Sequence, residues 1–364
     1  MSTQIPYATL ILRWYDHHQR ILPWRAKTGT IPDPYHVLLS EIMLQQTQVA
    51  TVIPYFNKFI ENFPTLNDLA EASLEKVMAM WTGLGYYSRA RNLHRCAQEV
   101  VKIGGIIPSN FKELKDLPGI GDYTAAAILS IGYNQPFVAV DGNVERVTSR
   151  LFAIEDSLPK VKPQLAALAK TLNEGQEAQD RPGDFAQALF DIGATICKPK
   201  NPLCLICPLS SVCKAHQQNI AELLPKREKK TAKPTKYGIS LLIKNDQENI
   251  LLRKRPEKGV LAGTMELPSS FWAEQSISLE QAMQETGCFG QYQEAGEIKH
   301  VFTHFTLKVR LYILTKKLQF IEQKQENIWV DLEDLDLYPC STLMKKMIKQ
   351  AINETSNDER RKIS

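Results

Sequence analysis

Residues 117–132 read LPGIGDYTAAAILSIG, and this stretch decides how the first part of the chain folds. Gly119 and Gly121 permit the tight backbone geometry of a short turn. The alanine-rich run after them predicts a helix, because alanine has the highest helix propensity. Free N–H groups at the start of a helix bind phosphate, so both glycines are candidate contacts to a phosphate backbone.

Helical periodicity extends to both sides of this turn. Apolar residues recur three and four positions apart in six segments, at 37–52, 66–80, 122–131, 143–153, 161–172 and 184–196. This spacing is typical of amphipathic helices and predicts a mainly α-helical first domain.

The pattern changes in the second part of the chain. From 305 to 313 apolar and polar residues alternate, which is the period of a β-strand with one buried face. Residues 237–243 and 249–255 predict a hairpin joined by the polar turn KNDQE. We therefore expect an α+β second domain.

A basic segment separates the two patterns. Residues 226–236 (KREKKTAKPTK) hold six Lys or Arg and one Glu, with no apolar residue beyond an alanine. This composition predicts an exposed linker. We expect a first domain at 1–225, the linker at 226–236, a second domain at 237–350 and a frayed polar tail at 351–364.

Composition narrows the class of protein. The chain has 364 residues and a net charge of +4, and the two parts outside the linker are close to neutral. Bulk charge therefore neither supports nor excludes a nucleic-acid partner. No apolar run approaches the ~18–20 residues of a bilayer helix, so we expect no membrane segment. The N-terminus lacks the basic start and long apolar stretch of an export signal, which favours a cytoplasmic location.

Four cysteines fall within 17 residues, at Cys197, Cys204, Cys207 and Cys213. In a chain without an export signal this clustering favours a metal site over disulfides. Structural zinc usually takes two C-x2-C pairs, and this loop has one. A single pair with one cysteine on each side suits a four-iron cluster held by four thiolates, with zinc as the alternative.

Two carboxylates occupy contrasting positions. Asp141 follows the extended run PFVAV and precedes a helical pattern, so we expect it at a helix N-terminus, where N–H donors keep it ionised. Glu41 lies on an otherwise apolar or amide-bearing helix face, where burial raises the pKa of a carboxyl group. One protonated and one ionised carboxyl group is the arrangement that cleaves a glycosidic bond.

The order of motifs is more specific than any one of them. The chain contains LPWR (22–25), SEIMLQQTQVATVIPYF (40–56), WTGLGYYSRARNL (81–93), LPGIGDYTA (117–125), VDGNVERV (140–147) and the four-cysteine loop. Together they closely resemble the adenine DNA glycosylases of the MutY family, in the helix-hairpin-helix glycosylase superfamily. The resemblance implies removal of adenine paired with 8-oxoguanine or guanine in double-stranded DNA. It also implies one [4Fe-4S] cluster, a monomer and a location at the nucleoid.

The resemblance assigns roles to individual residues. Glu41 would be the general acid that protonates adenine, and Asp141 the carboxylate that stabilises the sugar cation. Tyr123 and Asn143 would position that carboxylate and the attacking water. The residues expected to contact bases are Arg25, Gln45, Gln46, Gln48, Tyr86 and Gln187. Gly119 and Gly121 would bind the DNA backbone.

The second domain resembles a Nudix-like module that recognises 8-oxoguanine. Residues 302–304 read Phe-Thr-His where the family has Phe-Ser-His, so Thr303 and His304 would contact the oxidised base. Nudix hydrolases hold Mg²⁺ with clustered glutamates on one helix. Here Glu274, Glu280 and Glu285 include no adjacent pair, so we expect no nucleotide hydrolysis.

Two other functions compete with this interpretation. An endonuclease III-like glycosylase/lyase for oxidised pyrimidines would carry a lysine two residues after the second glycine of the hairpin, where this chain has Tyr123. A DNA-binding iron–sulfur protein without catalysis would be favoured by loss of Glu41 or Asp141, and both residues are present.

Overall fold

The computed structural model describes residues 6–27, 30, 32–228, 232–316, 318, 320–321 and 327–363, with only the backbone path at 320–321 and 355–363. The chain divides into two compact units. Unit 1 comprises Met1–Glu71 and Asn92–Lys230, and unit 2 comprises Ala72–Arg91 and Thr231–Ser364. The change at 230/231 lies within the basic segment, but the sequence did not anticipate that 72–91 groups with the second unit.

Unit 1 is helical, as the sequence predicted. Over both units, the α-helices of the described residues are, in chain order, α1 (Tyr7–His18), α2 (Pro34–Leu44), α3 (Val49–Asn62), α4 (Leu66–Glu71), α5 (Leu74–Met80), α6 (Ser88–Lys102), α7 (Phe111–Asp116), α8 (Asp122–Ala127), α9 (Gly142–Phe152), α10 (Lys162–Thr171), α11 (Gln176–Asp180), α12 (Pro182–Asp191), α13 (Lys214–Gln217), α14 (Leu279–Thr286) and α15 (Thr342–Ile363). Helix α5 belongs to unit 2, as do α14 and α15. Short π-helical segments, Ile128–Gly132 and Ile192–Ile196, continue α8 and α12.

The segment predicted as one helix over 37–52 is two helices. Helix α2 begins at the cap Asp33, whose side chain accepts from the Tyr35 N–H at 2.8 Å, and it ends at Leu44. Gln46 then takes a φ of +58°, a left-handed conformation that interrupts a helix. Apolar spacing alone could not reveal this break, because the periodicity continues across it.

The turn at 117–121 joins α7 to α8 and fixes where α8 begins. Leu117 and Ile120 are buried, so apolar contacts hold the turn against unit 1. Gly119 has a φ of +80°, and a Cβ there would lie 2.8 Å from the Cβ of Asn92. Gly121 caps α8 with an extended backbone, and a Cβ there would meet nothing within 4 Å. Of the two glycines, only Gly119 has a backbone conformation and surroundings that require glycine.

Unit 2 is an α+β fold. Its described strands are β1 (Thr235–Leu242), β2 (Ile250–Lys254), β3 (Met265–Glu266), β4 (Cys288–Phe289), β5 (Tyr292–Val301), β6 (Thr306–Leu314), β7 (Phe320–Ile321) and β8 (Asn327–Val330). Strand β1 pairs in parallel with β6, which pairs antiparallel with β5. A second sheet has the order β3-β2-β8, and β4 pairs with β7.

The core of unit 2 lies beneath β6. Leu307, Val309 and Leu311 on alternate positions of this strand are buried, as the period-two pattern predicted. They pack with apolar residues of α15, including Leu343 and Met347. Burial of such side chains contributes roughly 1.5–3 kcal/mol each to the stability of the unit.

The predicted hairpin of 237–243 and 249–255 is wrong beyond its turn. Leu251 donates to the Ile243 carbonyl at 2.9 Å, so the chain does reverse there. However, β1 and β2 then join different sheets. Each strand has a longer partner elsewhere, β6 for β1 and β8 for β2, and those ladders replace the local pairing.

The structure describes regular backbone elements within both the predicted linker and the predicted tail. Leu158 exchanges backbone hydrogen bonds with Lys226 and Glu228, and β1 already begins at Thr235. Residues 229–231 of the predicted linker lie outside the described residues. Helix α15 continues to Ile363, because its first part is anchored in the core and its polar end contains good helix formers. Among the described residues no helix, α15 included, combines the length and apolarity needed to span a membrane.

The two hairpin glycines offer a matched test of the fold. We expect Gly119→Ala to lower the free energy of unfolding by more than ~1 kcal/mol, from left-handed strain and the contact with Asn92. Gly121→Ala should change it by less than ~0.5 kcal/mol. Urea unfolding of both variants measures the difference, and equal effects would contradict this account of the turn.

Candidate active site

A cavity of about 740 Å³ in unit 1 gathers most of the residues that the sequence singled out. Its lining includes Arg25, Glu41, Gln45, Gln46, Gly119, Gly121, Tyr123, Asp141, Asn143 and Gln187. Gln48 is absent from this lining; it is an exposed residue at the N-cap of α3. The volume falls within the ~300–1,000 Å³ range of ligand pockets.

Glu41 lies on α2 with only 5% of its surface exposed. Burial, with a smaller effect from the charge of Asp141, raises the pKa of its carboxyl group to about 7, although the Tyr123 hydrogen bond and the charge of Arg25 oppose the rise. This is the environment that the sequence predicted for Glu41. A carboxyl group with such a pKa can hold a proton near neutral pH and donate it.

Asp141 is the N-cap of α9. Its Oδ1 accepts from the backbone N–H groups of Asn143 and Val144 at 2.9 and 2.8 Å, and its Oδ2 accepts from the Asn143 side chain at 2.7 Å. Burial nevertheless raises the pKa of Asp141 above its ordinary value, and these hydrogen bonds with the charge of Arg146 oppose the rise. The sequence predicted the donors correctly but left out the desolvation of the cap.

Tyr123 contacts Glu41 directly. The resemblance implied that Tyr123 and Asn143 together position the Asp141 carboxylate and the attacking water, and in the structure the Tyr123 hydroxyl donates to Glu41 Oε2 at 2.5 Å. Burial and the charges of both carboxylates raise the pKa of Tyr123 well above its ordinary value, so it stays a donor. Asn143 alone makes the predicted side-chain contact to Asp141.

Asp191 is a site residue that the sequence analysis missed. Its fully buried carboxylate accepts from Arg25 at 2.8 and 2.7 Å and from the Arg20 side chain and N–H at 2.6 and 2.9 Å. These bonds fix the Arg25 guanidinium at the cavity wall. In the sequence, Asp191 shows only as an aspartate at the end of an apolar helix face. The spacing of residues cannot pair it with Arg25, which lies 166 positions away.

Gln187 projects from α12 into the same cavity. Its side chain is 9% exposed, and its Nε2 donates to the Gly183 carbonyl at 3.2 Å. Because that bond holds the Gln187 side chain in place, its amide oxygen keeps one direction. A fixed amide in an enclosed cavity can read the hydrogen-bonding edge of a flat heterocycle.

The four-cysteine loop follows α12 in unit 1. Burial raises the pKa of Cys207 to about 12, and the other three cysteines lie close enough to contribute to the rise. Among the described residues, no group of three or more His, Cys, Asp or Glu side chains is arranged as a ready metal site. The donor set itself, four neighbouring free thiols in one loop, fits thiolate ligation of iron.

Two arginines of α9 connect this loop to the cavity. Arg146 donates to the Cys197 carbonyl at 2.7 Å and to the Asn143 side-chain oxygen at 2.9 Å. Arg150, which is 2% exposed, donates to Cys197 Sγ at 3.3 Å and to the Lys198 carbonyl at 2.7 Å. The loop is therefore held against the same helix that Asp141 caps.

The remaining predicted residues meet in unit 2. The Tyr86 hydroxyl and the Thr303 Oγ1 lie 2.7 Å apart, and both line a cavity of about 420 Å³ together with His304. Thr303 and His304 are exposed, and Tyr86 takes a left-handed φ of +48° in the segment between α5 and α6. The added methyl group of threonine does not prevent the hydroxyl contact.

Comparisons with known proteins agree with this geometry. Residues 39–173 match the model of the HhH-GPD superfamily of base excision DNA repair proteins, and residues 239–350 match the NUDIX domain. A solved structure of a thermostable thymine-DNA glycosylase superposes with a TM-score of 0.51 at 30% identity, covering 58% of this chain and 95% of that one.

Curated relatives extend the match over both units. The adenine DNA glycosylase of Homo sapiens is 36% identical, covering 93% of this chain and 72% of its own length. That of Buchnera aphidicola subsp. Baizongia pistaciae is also 36% identical, covering 96% of this chain and 97% of its own length. With this identity across both units, the chain belongs to the adenine DNA glycosylase family of N-glycosyl hydrolases that act in base excision DNA repair.

Proposed function

We propose that this enzyme removes adenine paired with 8-oxoguanine or guanine in double-stranded DNA, by general acid catalysis without strand cleavage. The observation that carries the proposal is the environment of Glu41, a buried carboxyl group with a pKa of about 7 that shares a cavity with a second, hydrogen-bonded carboxylate. The curated relatives described above are adenine DNA glycosylases, which supports adenine as the base that this enzyme removes.

The base must first leave the helix, because neither carboxylate can reach it within stacked DNA. Arg25 and Gln187 would then hold the adenine edge, since both are fixed by hydrogen bonds inside the cavity. Gln45 and Gln46 line the same cavity and offer amides to exposed bases. Gln48 would act outside the cavity, from the exposed start of α3.

Glu41 would donate its proton to a ring nitrogen of adenine. Protonation makes the base a better leaving group, and the C1′–N9 electron pair then passes to the base. The Tyr123 hydroxyl donates to Glu41 Oε2, which leaves the other oxygen to carry the proton. Arg25 lies close enough to favour the carboxylate that remains after the transfer.

Asp141 would stabilise the oxocarbenium-like sugar that the broken bond leaves. Its carboxylate is oriented by the start of α9 and by Asn143, so it needs little rearrangement as positive charge develops. Water then adds to the sugar carbon and leaves an abasic site. Asn143 is placed to orient that water as well as the carboxylate.

Two further groups would hold the DNA. The N–H groups of the 117–121 turn, at Gly119 and Gly121, would bind backbone phosphate without reading sequence. In unit 2, Tyr86, Thr303 and His304 would contact the 8-oxoguanine, because their polar atoms converge on one cavity. A monomer supplies all these residues.

A lyase reaction requires a neutral amine at the sugar, and the cavity offers none in that role. Tyr123 occupies the hairpin position where the lyases have lysine, and a phenol cannot form a Schiff base. Lys162 does line the cavity, but its ammonium is paired with Glu145 at 2.8 Å. The enzyme would therefore leave the strand intact.

We also propose that Cys197, Cys204, Cys207 and Cys213 hold one [4Fe-4S] cluster. Four thiols in a compact loop suit this ligation, and Arg150 supplies a hydrogen bond to the Cys197 sulfur of the kind that cluster sulfurs accept. When bound, the cluster would supply a rigid covalent cross-link of the loop. Because Arg146 and Arg150 of α9 donate to this loop, a rigid loop would also hold α9 in position.

Excision by Glu41→Gln should fall by at least ~10²–10⁴, because glutamine keeps the size of the side chain but has no proton to donate. The wild-type single-turnover rate should decline above about pH 7, where Glu41 ionises, and the variant should lack this decline. Glu145→Gln, in the wall of the same cavity, is the control and should show a much smaller loss. Near-normal excision by Glu41→Gln would refute its assignment.

The product separates a monofunctional glycosylase from a lyase. A duplex with one adenine opposite 8-oxoguanine should keep both strands intact after base release and break only on addition of alkali. Borohydride should trap little covalent protein–DNA adduct. Lys162→Gln should lose only the ion pair with Glu145, so any fall in base release should be no larger than the loss of that pair explains. Strand cleavage that keeps pace with base release would contradict the proposed mechanism.

The cluster has a readout that is independent of activity. Purified protein should be brown, absorb near ~400 nm and contain about four irons per chain. Cys207→Ser should lose iron and absorbance, whereas Cys96→Ser, at a buried cysteine outside the loop, should retain both. One zinc per chain in a colourless preparation would show that zinc is the resident metal.

A further inference from the structure

Unit 1 contains a second cavity that the proposed mechanism does not use. Its volume is about 750 Å³, close to that of the active-site cavity. Its lining comes from the end of α1, from described residues between 26 and 32, from residues 131–134, and from the start of α12. We call it the adjoining cavity, because it shares part of its wall with the active site.

Two residues, Ile131 and Gln187, line both cavities, and they are 8% and 9% exposed. One turn before Gln187, a Cβ at Gly183 would lie 2.9 Å from the Ser130 carbonyl oxygen, so backbone fills the wall there. The Gln187 amide is held by a single bond to the Gly183 carbonyl at 3.2 Å, the upper end of the ordinary N–H···O range. A ligand that takes over this bond would let the side chain turn and join the two cavities.

The adjoining cavity has a buried floor and an exposed rim. Tyr15, Ile131 and Gly183 are buried at the floor, whereas Gln19 and Asn134 are exposed to solvent at the rim. A molecule that passes Gln187 from the active site therefore reaches solvent without returning through the active-site cavity.

The Tyr15 hydroxyl is an unused donor at the floor. Its side chain is 2% exposed, and no residue that the structure describes forms a hydrogen bond with the hydroxyl. Burial raises the pKa of Tyr15 to about 12, so the hydroxyl keeps its proton at physiological pH. A ligand with a hydrogen-bond acceptor would therefore gain a bond here without displacing a protein partner.

The charges of the lining balance each other. The two acidic residues Asp16 and Asp184 stand against the two basic residues Lys27 and Arg181. Arg181 donates to Asp16 at 2.6 Å and to Asp184 at 2.9 Å, so both carboxylates already have a cationic partner. Neither a phosphate nor a metal ion is favoured by such a cavity, and a neutral ligand is.

The other polar groups suit a flat heterocycle. Gln19, Asn134 and Gln187 carry amides, each of which has both donors and an acceptor. The rings of Tyr15 and Tyr133 provide aromatic surface, on which the π-face of a base can stack. A purine base needs both kinds of contact, and it carries no charge that the cavity would have to balance.

We propose that the adjoining cavity binds a free purine base, and that adenine enters it past Gln187 once its bond to the sugar is broken. This role rests on the proposed function. A proton from Glu41 and the electron pair of the C1′–N9 bond leave adenine neutral, which matches the balanced charge of the cavity. The abasic sugar still fills the DNA side of the active-site cavity at that moment, so a separate exit lets the base leave before the DNA does.

Photolabelling locates the bound base. The full-length protein with its metal is mixed with a duplex that carries a tetrahydrofuran abasic-site analogue opposite 8-oxoguanine, and 8-azidoadenine is the probe. Mass spectrometry identifies the labelled residues. We expect saturable labelling of Tyr15, Tyr133 or Asn134, with and without the duplex. Adenine should displace the probe, whereas AMP should not, because its charged phosphate finds no unpaired guanidinium in the cavity.

Tyr15→Phe measures the contribution of the hydroxyl group. Equilibrium dialysis with radiolabelled adenine should show binding weakened roughly three- to tenfold, the usual effect of one lost hydrogen bond. Tyr7→Phe makes the same chemical change on α1 outside both cavities and should leave binding unchanged. Because the Tyr15 hydroxyl has no partner among the described residues, Tyr15→Phe should lower neither the unfolding temperature nor the single-turnover excision rate.

Three results would each overturn the proposal: labelling confined to the active-site cavity, displacement of the probe by AMP as readily as by adenine, or equal adenine binding by wild type and Tyr15→Phe. Excision of adenine opposite 8-oxoguanine judges the proposed function separately. A protein that is labelled at the adjoining cavity but excises no adenine keeps its purine site and refutes the proposed function. Excision without such labelling refutes the purine site alone.

Discussion

The burial of the Glu41 carboxyl group is the constraint on which the active site depends. A carboxylate this poorly hydrated is costly, so the group gains a proton near neutral pH instead of remaining charged. Under the proposed mechanism, the same desolvation would make the proton available to a base that enters the cavity. It also explains the neighbouring tyrosine, whose raised pKa keeps it a donor to Glu41 throughout the physiological range.

Arg25 would undermine this arrangement if its charge were unopposed, because a nearby guanidinium lowers the pKa of Glu41. Asp191 opposes that charge, since it accepts from both terminal nitrogens of Arg25 and from Arg20 as well. Two arginines and one carboxylate leave a net charge of +1, and the pKa of Glu41 still stands at about 7 beside them. Removing one partner of a buried pair costs about 3–5 kcal/mol, so Asp191 also stabilises this part of unit 1.

The sequence predicted those parts of the molecule whose physics is local. The period-two pattern of β6, the cap at Asp141 and the desolvation of Glu41 all follow from a few neighbouring residues. It failed where distant residues compete. The hairpin of 237–255 gave way to β6 and β8, and the bond from Tyr123 to Glu41, 82 positions away, left no signal in the local pattern. The pKa of Asp141 rises for the same reason, because its burial depends on elements far along the chain.

The cysteine loop and the carboxylate of Asp141 are joined by a continuous series of hydrogen bonds. Arg146 contacts both the Cys197 carbonyl and the Asn143 side chain, which in turn donates to Asp141. A guanidinium suits this position because its planar donors can bind several oxygens at fixed angles, which a lysine cannot do. The loop therefore needs no contact with the substrate to affect the site. By holding Arg146, the loop would set the orientation of the carboxylate that the proposed mechanism directs at the sugar.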